Sequence, residues 1–212
     1  YVFNGGGVIS ADFNNDGLVD LFFSGNQKPN KLYLNNGNFN FKDISSISNI
    51  EALDKWSTGL TYADINNDGL IDIYVCAAMK KENRNNMLFI NKGLDENTGE
   101  ILFEEMAKEY GIDDSGNSMG AIFFDYNKDG HMDLYVLNNE QNKSIPTNYR
   151  KKIIDGSAVS NDKLYKNNGN ETFTDVSLEA GITIEGFGLG VAVADINYDG
   201  WPDIFIGNDY TT

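Results

Sequence analysis

Acidic side chains occur four times in one nine-residue pattern, D-x-N-x-D-G-x-x-D. The pattern places carboxylate or amide oxygens at positions 1, 3, 5 and 9, and a glycine at position 6. Such oxygens suit a hard cation like Ca²⁺, which takes about 6–8 oxygen ligands, and the glycine permits a sharp turn. A metal-free turn is the alternative, because Asn, Asp and Gly are common turn formers. The four copies, called the first to fourth loops, cover residues 12–20, 64–72, 125–133 and 195–203.

The residues after each loop exclude an EF-hand. An EF-hand needs an acidic residue at position 12 and helices on both sides. Here position 12 is apolar in every copy, and the following segments are β-rich; the residues are Phe23, Val75, Val136 and Ile206. We therefore expect the aspartate at position 9 to complete the coordination as a bidentate ligand.

The segments on both sides of each loop predict β-strands. A glycine stands five residues before each first aspartate, and four mostly apolar or small residues follow it: VISA, LTYA, AIFF and VAVA. After the loops come LFFSG, IYVCA, LYVLN and IFIGN, which are short, rich in β-branched and aromatic residues, and bounded by turn formers. Such runs are typical of buried strands. Each loop should therefore connect two strands.

Two further strands are predicted in the first three repeats. The segments at 30–37, 86–93 and 162–169 share the pattern of NKLYLNNG, and a Phe-led segment follows each of them at 41–44, 103–106 and 173–176. The matching tails at 107–112 and 177–182 each have room for one helical turn. We expect an all-β fold, a partial β-propeller of about three and a half four-stranded blades. A β-solenoid or a compact four-bladed ring is the alternative.

The repeats cover approximately residues 5–50, 57–113, 118–183 and 188–212, the last being incomplete. We expect the chain to be a single propeller segment of a longer protein, with the remaining blades outside it. The second repeat carries a polar insertion near 92–100, and the third a longer one at 138–161 that includes Arg150. Insertions of this kind lie on the surface and often carry function.

Composition excludes several classes of protein. The chain has 212 residues and a formal net charge of −16, which argues against a nucleic-acid partner. Cys76 is the sole cysteine and lies in an apolar run, so we predict a buried thiol and no intrachain disulfide. No apolar run reaches membrane-spanning length, so no direct membrane insertion is expected.

The motifs together resemble the FG-GAP/VCBS repeats of integrin-α-type β-propellers. The fourth repeat carries the resemblance most clearly, with Phe187-Gly188, a strand, the loop, and then Ile204-Phe205-Ile206-Gly207-Asn208. The phrases NKLYLNNGNFNFKDIS at 30–45 and DKLYKNNGNETFTDVSLEAGI at 162–182 are similar to the ASPIC/UnbV or cartilage-acidic-protein-like branch. The resemblance covers nearly the whole chain.

The resemblance implies about four Ca²⁺ ions, one for each loop. In each loop it implies four side-chain ligands and the main-chain carbonyl at position 7. The implied ligands are Asp12, Asn14, Asp16, Asp20 and the carbonyl of Leu18; Asp64, Asn66, Asp68, Asp72 and that of Leu70; Asp125, Asn127, Asp129, Asp133 and that of His131; and Asp195, Asn197, Asp199, Asp203 and that of Trp201. Asparagine at position 3 leaves three formal charges per site, so we expect weak affinity, roughly 0.1–1 mM as in other extracellular modules.

No arrangement of residues predicts catalysis. His131 is the sole histidine and stands at position 7 of its loop, where a surface role is expected. Trp56 and Trp201 have the flat faces that stack on sugar rings, although core packing is the simpler interpretation. We find no spacing that nominates a general acid and base.

We therefore predict a non-enzymatic, calcium-stabilised binding or adhesion module, secreted or at the cell surface, with a protein or glycan partner. The abundance of Asn and Lys suggests a bacterial source, and with it attachment to a bacterial outer membrane. Two alternatives stay open: the propeller part of a secreted carbohydrate-active enzyme, and a purely structural spacer. A cleft that brings a tyrosine or His131 beside paired carboxylates, away from the loops, would favour the enzyme.

Overall fold

A computed structural model describes residues 5–80, 82–140 and 150–209. Over these residues the chain forms four antiparallel sheets and one short helix. The first sheet has the order β1-β2-β3-β4 and the second β5-β6-β7-β8. Their strands are β1 Val8–Ala11, β2 Asp20–Phe23, β3 Lys31–Asn35, β4 Phe41–Asp43, β5 Ser57–Ala63, β6 Asp72–Ala77, β7 Met87–Leu94 and β8 Ile101–Glu105.

The third sheet again has four strands and the fourth has two, with the orders β9-β10-β11-β12 and β13-β14. Their strands are β9 Ser118–Phe124, β10 Asp133–Asn138, β11 Lys163–Asn167, β12 Phe173–Asp175, β13 Gly188–Ala194 and β14 Asp203–Asn208. Three complete sheets and a half sheet confirm the predicted partial propeller. The repeat boundaries, and the expectation that the chain is part of a longer protein, stay predictions.

The core lies between successive sheets. One buried apolar cluster joins the first sheet to the second and includes Phe22 and Phe89. A second cluster joins the second sheet to the third, with Tyr74 against Phe123 at a ring-centroid distance of 6.1 Å. A third cluster joins the third sheet to the fourth. Each sheet therefore buries both faces only when a neighbour stands on each side.

The first strands of neighbouring sheets approach one another closely. Strand β9 contacts both β5 and β13, and β1 contacts β5. At Gly59 a Cβ atom would stand 2.6 Å from the Cα atom of Gly120 and 2.6 Å from the carbonyl oxygen of Met119. The glycine that precedes the second loop therefore permits backbone packing between two blades.

Several other predictions can be compared directly with the structure. Cys76 is fully buried, as predicted, and burial raises the pKa of its thiol. One helical turn, α1, spans Ala107–Tyr110 and ends at Gly111, which has a φ of 76°. The equivalent tail turns in the same way and ends at Gly181, also with a φ of 76°. No helix among the described residues is long and apolar enough to cross a bilayer.

The predicted insertion at 138–161 lies partly outside the described residues, at 141–149. Its described end is fastened to the connection before the fourth sheet. The Arg150 guanidinium donates to both oxygens of Glu185 at 2.6 and 2.7 Å, and the carboxylate also accepts the N–H of Ile153 at 2.7 Å. These contacts lower the pKa of the Glu185 carboxyl. The shorter insertion near 92–100 lengthens β7, which ends at Leu94, and forms the connection to β8, which begins at Ile101.

Candidate metal centres

Each of the four loops connects the first strand of a sheet to the second. The aspartate at position 9 is the first residue of the second strand, and it pairs with the last residue of the first strand, as Asp20 does with Ala11. Position 4 is left-handed in every copy, with φ between 57° and 61°, at Asn15, Asn67, Lys128 and Tyr198. The glycine at position 6 has φ between 84° and 86°. These positive φ values fold the nine residues back on themselves.

The carboxylate at position 1 turns inward to the backbone of its own loop. In the first loop, the two Asp12 oxygens accept the N–H groups of Asp16 at 3.1 Å and Gly17 at 2.8 Å. The other three loops repeat both bonds at 3.1 Å and 2.8–2.9 Å. The first aspartate is therefore held over the loop.

The side chains at positions 3 and 5 join the same group. The Asn14 oxygen accepts the Asp16 N–H at 3.2 Å, so this single N–H lies against both the Asp12 and the Asn14 oxygens. The Asn14 amide donates to the second oxygen of Asp16 at 3.0 Å. Equivalent contacts occur in the other loops. Three of the four predicted side-chain ligands therefore converge in every loop.

The aspartate at position 9 is buried in the first three loops. Asp20, Asp72 and Asp133 have no exposed surface. Each accepts two main-chain N–H groups, one from position 2 of its loop and one from the third strand of its sheet; for Asp72 these are Ile65 at 3.1 Å and Asn91 at 2.8 Å. Burial raises the pKa of the Asp72 carboxyl to about 7 and that of Asp133 to about 6, although these hydrogen bonds lower it in part. The protein alone therefore compensates the negative charge of these buried carboxylates poorly.

A comparison with protein families agrees with this repeated geometry. The FG-GAP-like repeat model matches residues 12–75 and 153–206. The chain belongs to the FG-GAP-like repeat family. The resemblance inferred from the loops and their flanking strands is therefore confirmed.

Curated relatives of this FG-GAP-like chain include cartilage acidic protein 1. The mouse protein (Mus musculus) is 29% identical over 145 residues, and the human protein (Homo sapiens) is 30% identical over 140 residues; each match covers 65% of this chain and 21% of the relative. These matches agree with the cartilage-acidic-protein-like branch. The "T-cell immunomodulatory protein homolog" of Plasmodium yoelii yoelii is 30% identical over 179 residues, covering 74% of this chain and 22% of the relative.

The FG-GAP-like chain spans about a fifth of the length of these relatives. All three are eukaryotic, so they give no support to the expectation of a bacterial source or of attachment to a bacterial outer membrane.

The residues at position 7, whose carbonyls were predicted as ligands, have different side chains and different surroundings. Leu18 and Trp201 are exposed, whereas the ring of His131 lies near Gly169, where a Cβ atom would stand 2.7 Å from Nε2. A cavity of about 260 Å³ between the second loop and the third sheet contains His131 with one carboxylate, that of Glu171. Within the described chain this histidine therefore does not face the paired carboxylates that would favour an enzyme.

Sequence reasoning missed three asparagines that support the loops. Asn35 and Asn167 end β3 and β11, and Asn91 lies within β7, which ends at Leu94. The sequence predicts these segments only as strands, two of them ending in an Asn-Gly turn. In the structure the Asn91 side chain accepts the Gly93 N–H at 2.9 Å. The same side chain also donates to the carbonyl of Phe13, which belongs to the preceding loop. The recurrence of asparagine at one position was the available signal.

The fit of these loops to a metal ion is partial. Within residues 5–80, 82–140 and 150–209, no three carboxylate, imidazole or thiol side chains stand in an arrangement that could hold a metal. The side chains at positions 1, 3 and 5 do lie together, but the position-9 oxygens are directed to N–H groups. Each carboxylate oxygen has two lone pairs, so one N–H bond leaves room for a cation. The donor set, all oxygen and anionic, fits Ca²⁺ in its chemistry.

Proposed function

We propose that the chain is an extracellular binding or adhesion-type module whose four loops each take one Ca²⁺. The observation that carries the calcium proposal is a convergence repeated in all four loops: the side-chain oxygens at positions 1 and 3 both accept the main-chain N–H of position 5. The carboxylate of position 5 joins them by accepting the side-chain amide of position 3. A metal-free turn would need these hydrogen bonds but not three carboxylates in nine residues.

The ion would be held by the residues predicted from the sequence. When bound, Ca²⁺ supplies positive charge that the aspartates of the loop otherwise lack. This positive charge stabilises the ionised form of the buried aspartates most, since burial disfavours that form in the absence of a cation. Asp72 would ionise fully, and its oxygens would still accept the N–H groups of Ile65 and Asn91. Four divalent ions would halve the formal net charge of −16.

The role of the ion is structural in this proposal. Each loop joins two strands of one sheet, so a cation in the loop fixes the hairpin and the start of the second strand. A site saturated at 100 times its dissociation constant stabilises the folded state by about 2.7 kcal/mol. Four weak sites are well suited to a space outside the cell, where calcium is abundant.

The partner in this proposal is a protein or a glycan, and the surface that meets it lies outside the calcium loops. The relatives that support an extracellular role carry the names cartilage acidic protein 1 and T-cell immunomodulatory protein homolog. The described end of the third-repeat insertion, fastened by the ion pair of Arg150 and Glu185, is the candidate contact segment in this proposal. We propose no catalytic activity.

Calcium removal tests the structural role. We expect EDTA to lower the melting temperature, and calorimetry to find about four Ca²⁺ per chain. Asp68→Ala should remove one ion and part of the stabilisation by calcium, because Asp68 lies in the group of converging side chains. Glu96→Ala is the matched control, since it removes one exposed carboxylate outside the loops. Unchanged melting in EDTA together with no heat of calcium binding would show that the loops are metal-free turns.

A further inference from the structure

The first three loops are joined to one another through buried hydrogen bonds. The Phe13 N–H donates to Asp20 at 3.0 Å, and the Phe13 carbonyl accepts the side-chain amide of Asn91 at 2.8 Å. The Asn91 main-chain N–H in turn donates to Asp72 at 2.8 Å. The position-9 aspartates of the first and second loops are therefore connected through two residues only.

The same connection continues from the second loop to the third. The Ile65 N–H donates to Asp72 at 3.1 Å, and the Ile65 carbonyl accepts the side-chain amide of Asn167 at 3.1 Å. The Asn167 N–H donates to Asp133 at 2.8 Å. We call the whole set the asparagine relay; it consists of Asp20, Phe13, Asn91, Asp72, Ile65, Asn167 and Asp133. At most 4% of any member is exposed.

Exposed contacts also join each loop to the next, but their chemistry differs. The Asn15 side chain donates to the carbonyl of Gly69 at 3.1 Å, and the Asn67 amide lies 3.5 Å from Nδ1 of His131. Between the third and fourth loops, the Lys128 ammonium lies 4.2 Å from the ring centroid of Trp201. Solvent competes for these contacts, whereas hydrogen bonds in a low-dielectric interior hold their geometry more strongly.

We propose that the asparagine relay couples calcium binding at the first three loops, so that an ion in one loop raises the calcium affinity of the next. This inference rests on the proposed calcium function. Closing the first loop fixes the backbone of Phe13, and its carbonyl then holds the Asn91 side chain. Fixing Asn91 orders the N–H that supports Asp72, so the second loop has less conformational entropy to lose when it binds. The coupling must be reciprocal because it is an equilibrium free energy.

The fourth loop supplies an internal comparison. Tyr126 donates its N–H to Asp133 as Phe13 and Ile65 donate to their aspartates. Among the described residues, the fourth loop meets the third through the exposed contact of Lys128 with the Trp201 ring. The first loop is two repeats away from the fourth, so we expect a change in the first loop to leave calcium binding at the fourth unchanged.

A site-resolved titration tests the coupling. The position-6 glycines, Gly17, Gly69, Gly130 and Gly200, each donate an N–H to the first aspartate of their own loop at 2.8–2.9 Å. In a ¹⁵N-glycine-labelled chain, their NMR signals should follow calcium binding loop by loop. Asp16→Ala should disable the first loop and move the midpoint at Gly69 to about fivefold higher calcium, the low end of usual coupling. The Gly200 midpoint should not move.

Asn91→Ala should remove this effect, because it cuts the relay between Phe13 and Asp72. In that background, Asp16→Ala should leave the Gly69 midpoint unchanged. Asn35→Ala is the matched control: Asn35 is the equivalent residue of the first sheet, and its side chain donates to the Val19 carbonyl of its own loop at 3.0 Å. With Asn35→Ala, the fivefold effect of Asp16→Ala on Gly69 should persist.

Reciprocity makes the test independent of whether the Asn91 variant folds. Asp68→Ala should raise the midpoint at Gly17 by the same factor by which Asp16→Ala raises that at Gly69. If the glycine signals respond to calcium but neither loop variant shifts its neighbour, the coupling is refuted while the calcium function stands. If none of the four signals responds, the proposed calcium function itself has failed.

Discussion

The second and fourth loops share one nine-residue pattern but differ in their surroundings. Within the two loops the hydrogen bonds are equivalent. Asp64 and Asp195 each accept the N–H groups of positions 5 and 6 of their own loop, at 3.1 Å and at 2.8–2.9 Å. Asp72 is fully buried between two neighbouring sheets, whereas Asp203 is half-buried beside a two-stranded sheet. The nine residues therefore determine the turn, and the neighbouring blades determine the burial of its last carboxylate.

This difference distinguishes hydrogen bonds that stabilise a single loop from hydrogen bonds that connect different strands and sheets. The hydrogen bonds made by the side chains at positions 1, 3 and 5 of a loop join residues at most five positions apart and involve exposed atoms. The contacts of Asp72 connect strands and sheets, and they reach Phe13 through Asn91, which is 78 residues further along the chain. Removing a residue of the second kind should therefore affect the whole stack of sheets.

The largest expected effect compares Asp72→Ala with Asp203→Ala in the presence of EDTA, so that metal does not contribute. Asp72→Ala leaves the buried N–H groups of Ile65 and Asn91 without acceptors, at about 1–3 kcal/mol each, so we expect a loss of about 4 kcal/mol. Asp203→Ala frees the N–H of Ile196, which water can reach, and should cost about 1 kcal/mol. Urea unfolding measures both. Equal losses would show that burial by the neighbouring blades is unimportant.

A smaller effect compares the glycines that precede these two loops. A Cβ atom at Gly59 would stand 2.6 Å from the backbone of the next blade, so Gly59→Ala must displace β5 from β9 and should cost about 1–3 kcal/mol. At Gly190 a Cβ atom would meet nothing within 4 Å, so Gly190→Ala should change the free energy of unfolding by about 0.5 kcal/mol or less. Urea unfolding of both variants measures these two changes in the free energy of unfolding. A large loss at Gly190 would mean that the glycine serves the local strand and not blade packing.

The sequence was informative wherever the physical cause was local. The spacing of Asp12, Asn14, Asp16 and Gly17 predicts the turn because its hydrogen bonds lie within that spacing. The apolar runs on both sides predict the strands, and the number of such runs predicts three sheets of four strands and one of two. A short continuous apolar run bounded by turn residues is typical of a strand buried on both faces, and β6 and β10 are buried at every residue.

Contacts across repeats could not be predicted in the same way. Asn91 and Asn167 are 78 and 102 residues from the carbonyls that their side chains hold, so their sequence context shows only the Asn-x-Gly turn. The burial of Asp20, Asp72 and Asp133 was also invisible, because an aspartate within a polar turn is expected to face water. Both features follow from how the sheets stack, which no single repeat specifies.

The smallest expected effect concerns a position that is Asn86 before the third strand of the second sheet and Asp162 before the third strand of the third sheet. Asn86 and Asp162 each accept a main-chain N–H at 2.8 Å and contact the hydroxyl of a buried tyrosine. Burial raises the pKa of Asp162 to about 6 from a usual value near 3.8. The folded state therefore favours the protonated acid, so the contribution of Asp162 to stability is present below about pH 4 and is lost as the pH rises through about 6.

Asp162→Asn should remove that loss. At pH 8 the raised pKa of Asp162 corresponds to an upper limit of about 3 kcal/mol of lost stability. Tyr135 loses its acceptor in the variant, which offsets part of the gain, so we expect a net stabilisation of about 1 kcal/mol at pH 8 that disappears near pH 4. Urea unfolding at both pH values, with Asn86→Asp as the reverse exchange, measures it. A gain independent of pH would exclude ionisation of Asp162 as its cause.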